Sequence, residues 1–415
     1  MNKLILIKDS LENKISYYLL AALLITLPYN RFYSQLFLAA FIIHSLIFIN
    51  RQKLKQAFRL PVLMAGAVWI ITLAGLAWSP DRNEGFAELF RQSPLLVFPF
   101  FLLISQFPVY QYRKNLLTLF GISCVVVIIY LFIDALSTII NYHLPLSAFS
   151  SIAFINHNFS RPIELHATYL SLFLSLCLVF FMQCFLQERI FKKRLVFVLG
   201  MLVLLAGLLQ LASRSVLIAT IFVFIVVFPL FLPRGTIRFR FITSALLISL
   251  LALGSILTIS SFKKRYVTEL RNDLTTTTLN NEDLEPRAKR WAFVMELISH
   301  KPLTGYGSGT EKRILKDIYF ENRYYNSFLN GLNAHNEYLS IWLKTGALSL
   351  GFFLASLLYA LILAWKRKDA LFASFMPLCC IVSFSENIFD VSKGIFFYAL
   401  FYSLFIFSRK SVKDE

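Results

Sequence analysis

Three basic residues, Arg214, Arg287 and His335, are of types that suit holding an anion and moving a proton. Arg214 sits in Ala212-Ser213-Arg214-Ser215, between two apolar runs with almost no loop separating them. A guanidinium stays charged and grips phosphate oxygens in a two-pronged geometry. One reading is therefore an anion site at the membrane surface, since ionisable groups at this depth are functional candidates. The other is an interfacial arginine that snorkels to water. Arg287 and Trp291 are four residues apart and share a helix face. Pro286 suits the opening turn of that helix, which puts Arg287 among unpaired backbone N–H groups that favour an anion. Lys289 and Arg290 add charge beside it, with Arg290 pointing elsewhere. On spacing alone, a solvated loop arginine explains Arg287 as well. His335, in Asn333-Ala334-His335-Asn336-Glu337-Tyr338, lies where a long polar stretch enters an apolar run. A neutral imidazole there can take a proton from an acceptor hydroxyl, or it can be structural.

Softer signals surround these three. Arg161, Glu164 and His166 cluster before an apolar run, and Glu386 and Asn387 end another. A mutual salt bridge or helix cap explains the first cluster about as well as function does. Gly305-Tyr306-Gly307-Ser308-Gly309 lacks the Gly-Lys-Ser/Thr of a P-loop and reads as a turn. No second His or Cys lies three or four residues from His335, and there is no Asp-x-Asp, so spacing predicts no metal site and no cofactor. Cys124, Cys177, Cys184, Cys379 and Cys380 lie inside apolar runs without a CxxC pair and read as small apolar residues.

The elements that must position these side chains are transmembrane helices. Of the 415 residues, 57% are hydrophobic and only 15% charged, whereas soluble domains carry about 25% charged residues. The excess lies in continuous runs, each long enough to cross a bilayer as a helix, which excludes an alternating-strand barrel. Spans are expected near 16–29, 33–50, 60–78, 92–108, 115–141, 164–186, 195–212, 215–233, 241–261, 337–365, 370–388 and 392–408. The first run reads as a retained helix rather than a cleaved signal. A net charge of +18 invites a nucleic-acid reading, but the basic residues sit at the ends of apolar runs. Arg51, Lys53, Lys55 and Arg59 share one loop; Arg113 with Lys114, Arg189 to Arg194, Arg234 to Arg240, Lys366 to Lys368, and Arg409, Lys410 and Lys413 follow in alternate loops. The positive-inside rule makes that side cytoplasmic and predicts both termini there.

The chain then divides into nine helices over 1–261, an outward-facing loop domain over 262–336, and three helices with a tail over 337–415. Within the loop, Phe262, Tyr266, Leu270 and Leu274 recur every four residues, as on a short amphipathic helix. A polar stretch, 275–285, follows; a second helix runs to about Ser299, Pro302 and the glycines break the chain, and a third helix starts near Thr310.

At this point the chain resembles the bacterial O-antigen ligase and polymerase superfamily. The match rests on His335-Asn336-Glu337-Tyr338-Leu339 followed by Gly346 and Phe352-Phe353, on Arg287-x-x-x-Trp291 then Pro302-Leu303-x-Gly305-x-Gly307, on Ser213-Arg214-Ser215, and on Glu386-Asn387. It covers roughly residues 205–395; the first two hundred match only in hydropathy. The resemblance implies an all-α polytopic membrane protein of about twelve transmembrane helices, with a large periplasmic helical loop and the C-type glycosyltransferase architecture. It implies an inner-membrane enzyme that takes glycan from undecaprenyl diphosphate on the periplasmic side, with inversion and without metal. Arg214 and Arg287 would bind the donor diphosphate and His335 would act on the acceptor, for a ligase a sugar of the lipid A core. Arg161, His166, Arg265, Arg290, Trp291, Asn336, Glu337, Tyr338 and Glu386 are the further candidates for substrate contact. Lys263, Lys264 and Arg265 are candidates for holding an anionic acceptor lipid, or simply solvated charge. The expected partners are the lipid-linked glycan, the acceptor and membrane lipid, not nucleic acid. Two rivals stay open: a polymerase extending a lipid-linked chain, and a transporter of such lipids, which would place charges such as Asp134 and Lys344 along a path through the membrane.

Overall fold

Short polar side chains mark where the helices begin. In the computed structural model, which describes residues 4, 6–49, 51–54, 59–105, 107–274 and 285–408, Ser10 accepts from the Asn13 N–H, Asn30 from Phe32 and Asp369 from Phe372. Each satisfies a donor that the first helical turn leaves unpaired. The described residues form helices and no strand. Among them, seven helical stretches are long and apolar enough to cross a membrane: Arg82–Ile104, Val109–Asn141, Ala167–Gln187, Phe191–Leu211, Arg214–Phe231, Thr236–Gly254 and Glu337–Lys366. The other five predicted spans fall on shorter helices, Leu11–Thr26, Arg31–Ile47, the pair Leu60–Ala65 and Ala67–Gly75, Ala370–Val382 and Ser392–Ile406. The protein is a multi-pass membrane protein.

Burial sorts the helices into centre and periphery. Every residue from Gly394 to Ile406 is buried. Phe396, Phe397 and Phe401 of that helix meet the rings of Phe98, Phe173 and Phe120, offset or edge-on contacts that add to plain area burial. Thr236–Thr258 lies outside, with Leu246, Leu247, Leu250 and Leu251 exposed. Such a surface suits lipid and would be a liability in water.

The long loop folds into a small domain with its own core. Phe293, Val294, Ile298, Leu315, Tyr319 and Tyr324 pack together with Ala334 and Leu343. The sequence places the loop helices well: Arg287–His300 follows Pro286 as its cap, and Glu311–Glu321 follows Thr310. The segment around Phe262 and Tyr266 is helical with one widened turn, and Phe262 joins the main core. A further short helix, Tyr325–Leu329, was not expected. The polar stretch 275–284, Lys55 and the tail beyond 408 lie outside the described residues.

One expectation needs correcting. The sequence predicts an unbroken helix over 337–365, but the chain breaks at Gly346, where φ is 81°. The Pro302–Gly307 turn is driven into that break. Tyr306 N–H donates to the Leu343 carbonyl at 3.0 Å, Gly307 N–H to Lys344 at 2.7 Å, and Ala347 N–H to Pro302 at 2.9 Å. The turn thus satisfies carbonyls that the kink frees, which a membrane helix cannot leave bare. A Cβ at Gly346 would stand 1.9 Å from the Leu303 carbonyl oxygen, so only glycine fits both the left-handed backbone and the contact. The glycine-rich segment is a docking turn, and it locks the loop domain onto the membrane helix.

Candidate active site

Five chain segments converge at the loop-domain end of the bundle. The helix ending at Leu211 stops because Ala212 takes a left-handed conformation, φ 46°, and the next helix starts at Arg214. A non-glycine residue in that region is strained, and here the turn delivers Arg214 into the protein with only 12% of its side chain exposed. Its guanidinium pairs with Asp273, on the short helix Glu269–Leu274. Arg287, the first residue of its helix, lies with Nε 3.8 Å from the same Asp273 oxygen. It also donates to the Ser385 carbonyl at 2.9 Å, and its Nη2 is 3.9 Å from Glu386 Oε1. The other oxygen of Glu386 is 3.5 Å from Nδ1 of His335. Arg214, Asp273, Arg287, Glu386 and His335 therefore form one continuous chain of charged and titratable groups.

His335 is held from several sides. Its backbone is left-handed, φ 47°, a conformation that persists in a non-glycine residue only where the surroundings impose it. Its N–H donates to Asn333 Oδ1 at 3.1 Å, and Trp291 Nε1 donates to the preceding carbonyl, Ala334, at 2.9 Å. Two residues later Asn336 caps the membrane helix, accepting from Tyr338 and Leu339.

The electrostatics leave room for one more anion. Burial alone would raise the Glu386 carboxyl, but the hydrogen bond and charge of His335, then Arg287 and His166, bring it down to about 2. Glu386 is therefore ionised and can orient the imidazole through Nδ1–H, leaving Nε2 as the proton acceptor. Arg214 Nη1 is buried without a partner. A buried charged donor left unpaired is costly, and here it marks where a further oxygen fits. His157 and His166 face each other nearby, rings 4.0 Å apart. Both have solvent-open surface, yet protein crowds their rings. That crowding first, and then the charges of Arg265 on His157 and of His157 on His166, push both imidazoles below their ordinary range.

The remaining predicted residues divide. His166 caps the Ala167–Gln187 helix, accepting from Thr168 N–H at 3.4 Å, so the cap reading of that cluster has a physical basis. Arg161 is exposed, and among the described residues no Arg161–Glu164 ion pair forms. Arg265 pairs with Glu269 one turn on. Arg290 turns inward toward Tyr319, with two guanidinium nitrogens unpartnered. Trp291, Asn336, Glu337 and Tyr338 brace the frame. Glu337 accepts from Phe389 N–H at 2.9 Å, and the Tyr338 hydroxyl donates to the Cys380 carbonyl at 2.8 Å.

Sequence reasoning missed Asp273 and His157. Asp273 sits one turn after Glu269 on the amphipathic segment, where a solvated carboxylate is the ordinary expectation, and nothing local distinguishes it.

Residues 199–354 match the family model described as O-antigen ligase. Over that segment the chain is similar to the O-antigen ligase family. No curated protein matches it. The ligase-family segment contains Arg214, Asp273, Arg287 and His335, whereas Glu386, His157 and His166 come from outside it.

Proposed function

We propose that this protein is an O-antigen ligase, transferring a glycan from undecaprenyl diphosphate to a sugar hydroxyl of the lipid A core at the periplasmic face of the inner membrane. The observation that carries the reading is the meeting of Arg214 and Arg287, from different helices, on a single oxygen of Asp273, next to an imidazole oriented by Glu386. Asp273 marks where a negative oxygen sits in this cradle, and the donor diphosphate takes that place.

The acceptor oxygen attacks the anomeric carbon from the face opposite the diphosphate, and its proton passes to His335 Nε2. The bond from carbon to the diphosphate oxygen breaks, so configuration inverts and the electron pair leaves with undecaprenyl diphosphate. The charge that grows on that leaving group is what the two arginines stabilise, each worth about 3 kcal/mol by analogy with other preorganised donors. The base contributes roughly a hundred- to ten-thousandfold. The loop domain, pinned at Gly346, shields the donor from water.

The test is transfer by purified protein mixed with undecaprenyl-diphosphate glycan and rough lipopolysaccharide in the presence of chelator, with His335→Ala alongside. Glycan on the lipid A core from the wild type and not the variant supports the ligase. Lengthening of the lipid-linked glycan alone would replace it with the polymerase. Neither product, across a range of donors, would sink the enzyme reading in favour of a transporter. Against that transporter stands the setting of Lys344, which is closed in by carboxylates rather than lining a path.

A further inference from the structure

Lys344 is an ionisable residue inside a membrane-helix stretch, and no step above uses it. Its ammonium pairs with Glu88, lies 3.1 Å from Asp390 Oδ1 and 3.9 Å from Glu311 Oε2, and only 7% of its side chain is exposed. The three carboxylates come from separate elements: the Arg82–Arg91 helix, the Glu311–Glu321 helix and the 383–391 connection. Each carboxylate also holds a second partner. Glu88 accepts from Gly309 N–H at 2.9 Å, in the docking turn. Glu311 accepts from the Ser340 hydroxyl and from Ala334 N–H, the latter at 2.9 Å. Asp390 accepts from Asn333 at 3.3 Å and Asn387 at 3.0 Å. Asn333 and Ala334 lead directly into His335, and Asn387 follows Glu386.

We propose that Lys344 is a positioning residue for the His335–Glu386 pair: its ammonium gathers three carboxylates that fix the two chain segments carrying the pair, while touching neither residue itself. Without the cation, the carboxylates repel one another or take up protons. In either case their grip on Ala334, Asn333 and Asn387 changes. The 3.5 Å contact between His335 and Glu386 is then the first casualty, because a misplacement of about 1 Å is enough to cost a large part of a rate.

The proposal rests on the glycan-transfer reading for its kinetic arm, so the test pairs kinetics with a measurement that needs no turnover. Breaking one side of a buried ion pair threatens folding, so the variant is Glu88→Gln with Lys344→Met, which removes both charges at similar volume. The His335 imidazole is followed by NMR of 13C-labelled histidine, assigned with His335→Gln. The charged or titratable groups facing it are Glu386, Arg287 and His166. The expected result is a melting temperature close to wild type, donor KM within about twofold, kcat lowered at least tenfold, and His335 ring resonances displaced from their wild-type positions because its carboxylate partner has moved away. Lys344→Arg, which keeps the charge, should recover part of kcat. Asp390→Asn is a milder probe should the double variant fold poorly, and the same displacement is expected with a smaller fall in kcat. Wild-type His335 resonances in the folded variants overturn the proposal. So does a loss in which melting temperature, KM and kcat fall together while those resonances stay put. Absence of transfer in the wild type would overturn only the glycan-transfer reading, since the resonances are read without turnover.

Discussion

The molecule builds two clusters of opposite charges, one around Lys344 and one around Asp273, and their settings differ. Around Lys344 the side chains of Lys344, Glu88, Glu311 and Asp390 are 4–12% exposed, and acid outnumbers base. Around Asp273, two arginines and a histidine meet two carboxylates at 12–26% exposure, and Arg214 keeps a buried donor unpaired. On the function proposed above, the same residue types make a frame in one place and a receptor in the other. What separates them is the sign of the surplus and access to water. A closed cluster with surplus acid holds its cation away from water. A half-open one with a spare cationic donor accepts an anion from outside.

The strongest way to break this comparison is at the base. His335→Ala should lower kcat by about a hundredfold or more with donor KM little changed, read as product on the acceptor lipid; equal loss in kcat and KM would argue against an acceptor-side role. Next come Arg214→Ala and Arg287→Ala, each expected to cost roughly a hundredfold in kcat/KM. Lysine at either position should recover little, because the cradle depends on the guanidinium fork. A variant with near-normal transfer would mean that the diphosphate sits elsewhere. Asp273→Asn sharpens the contrast in the other direction. Removing the charge that occupies the cradle should lower donor KM several-fold, whereas a weaker donor would make Asp273 part of the binding surface.

The smallest effects are in pH. Burial first, and then the charge of Asp390, raise Glu311 to about 7, so the folded protein holds a proton that the unfolded chain releases near pH 4.5. Its stabilising contribution is complete below that value and is lost as pH rises toward 7. Glu311→Gln should flatten the fall in melting temperature over that window; an unchanged slope would place the proton on another group. Glu386, held down to about 2, behaves oppositely. Its contribution is complete above pH 4.5 and fades only toward pH 2.

Much of this was legible in the sequence, for reasons that differ by residue. Arg214 and His335 stood out because each is charged or titratable at the edge of an apolar run, where desolvation makes an ordinary polar residue improbable. Arg287 stood out through its distance to Trp291 and the proline before it. The helices were legible because apolar runs in lipid have no alternative that satisfies their backbone. Asp273, Glu88 and Glu311 were not, since each reads locally as a surface acid. Asp390 gave no signal either.

The sequence by itself determined that the chain crosses a membrane repeatedly, that a helical domain interrupts the spans, and that Arg214 and His335 sit at polar–apolar boundaries. Those are one-dimensional properties, set by hydropathy and by spacing along a helix. Only the tertiary structure decided that Asp273 links Arg214 to Arg287, that Glu386 orients His335, that Gly346 breaks its helix to admit the Pro302–Gly307 turn, and that Lys344 is caged rather than exposed. These contacts join residues dozens to hundreds of positions apart. Their strength depends on burial and on distances of a few ångströms, and neither is written in local sequence.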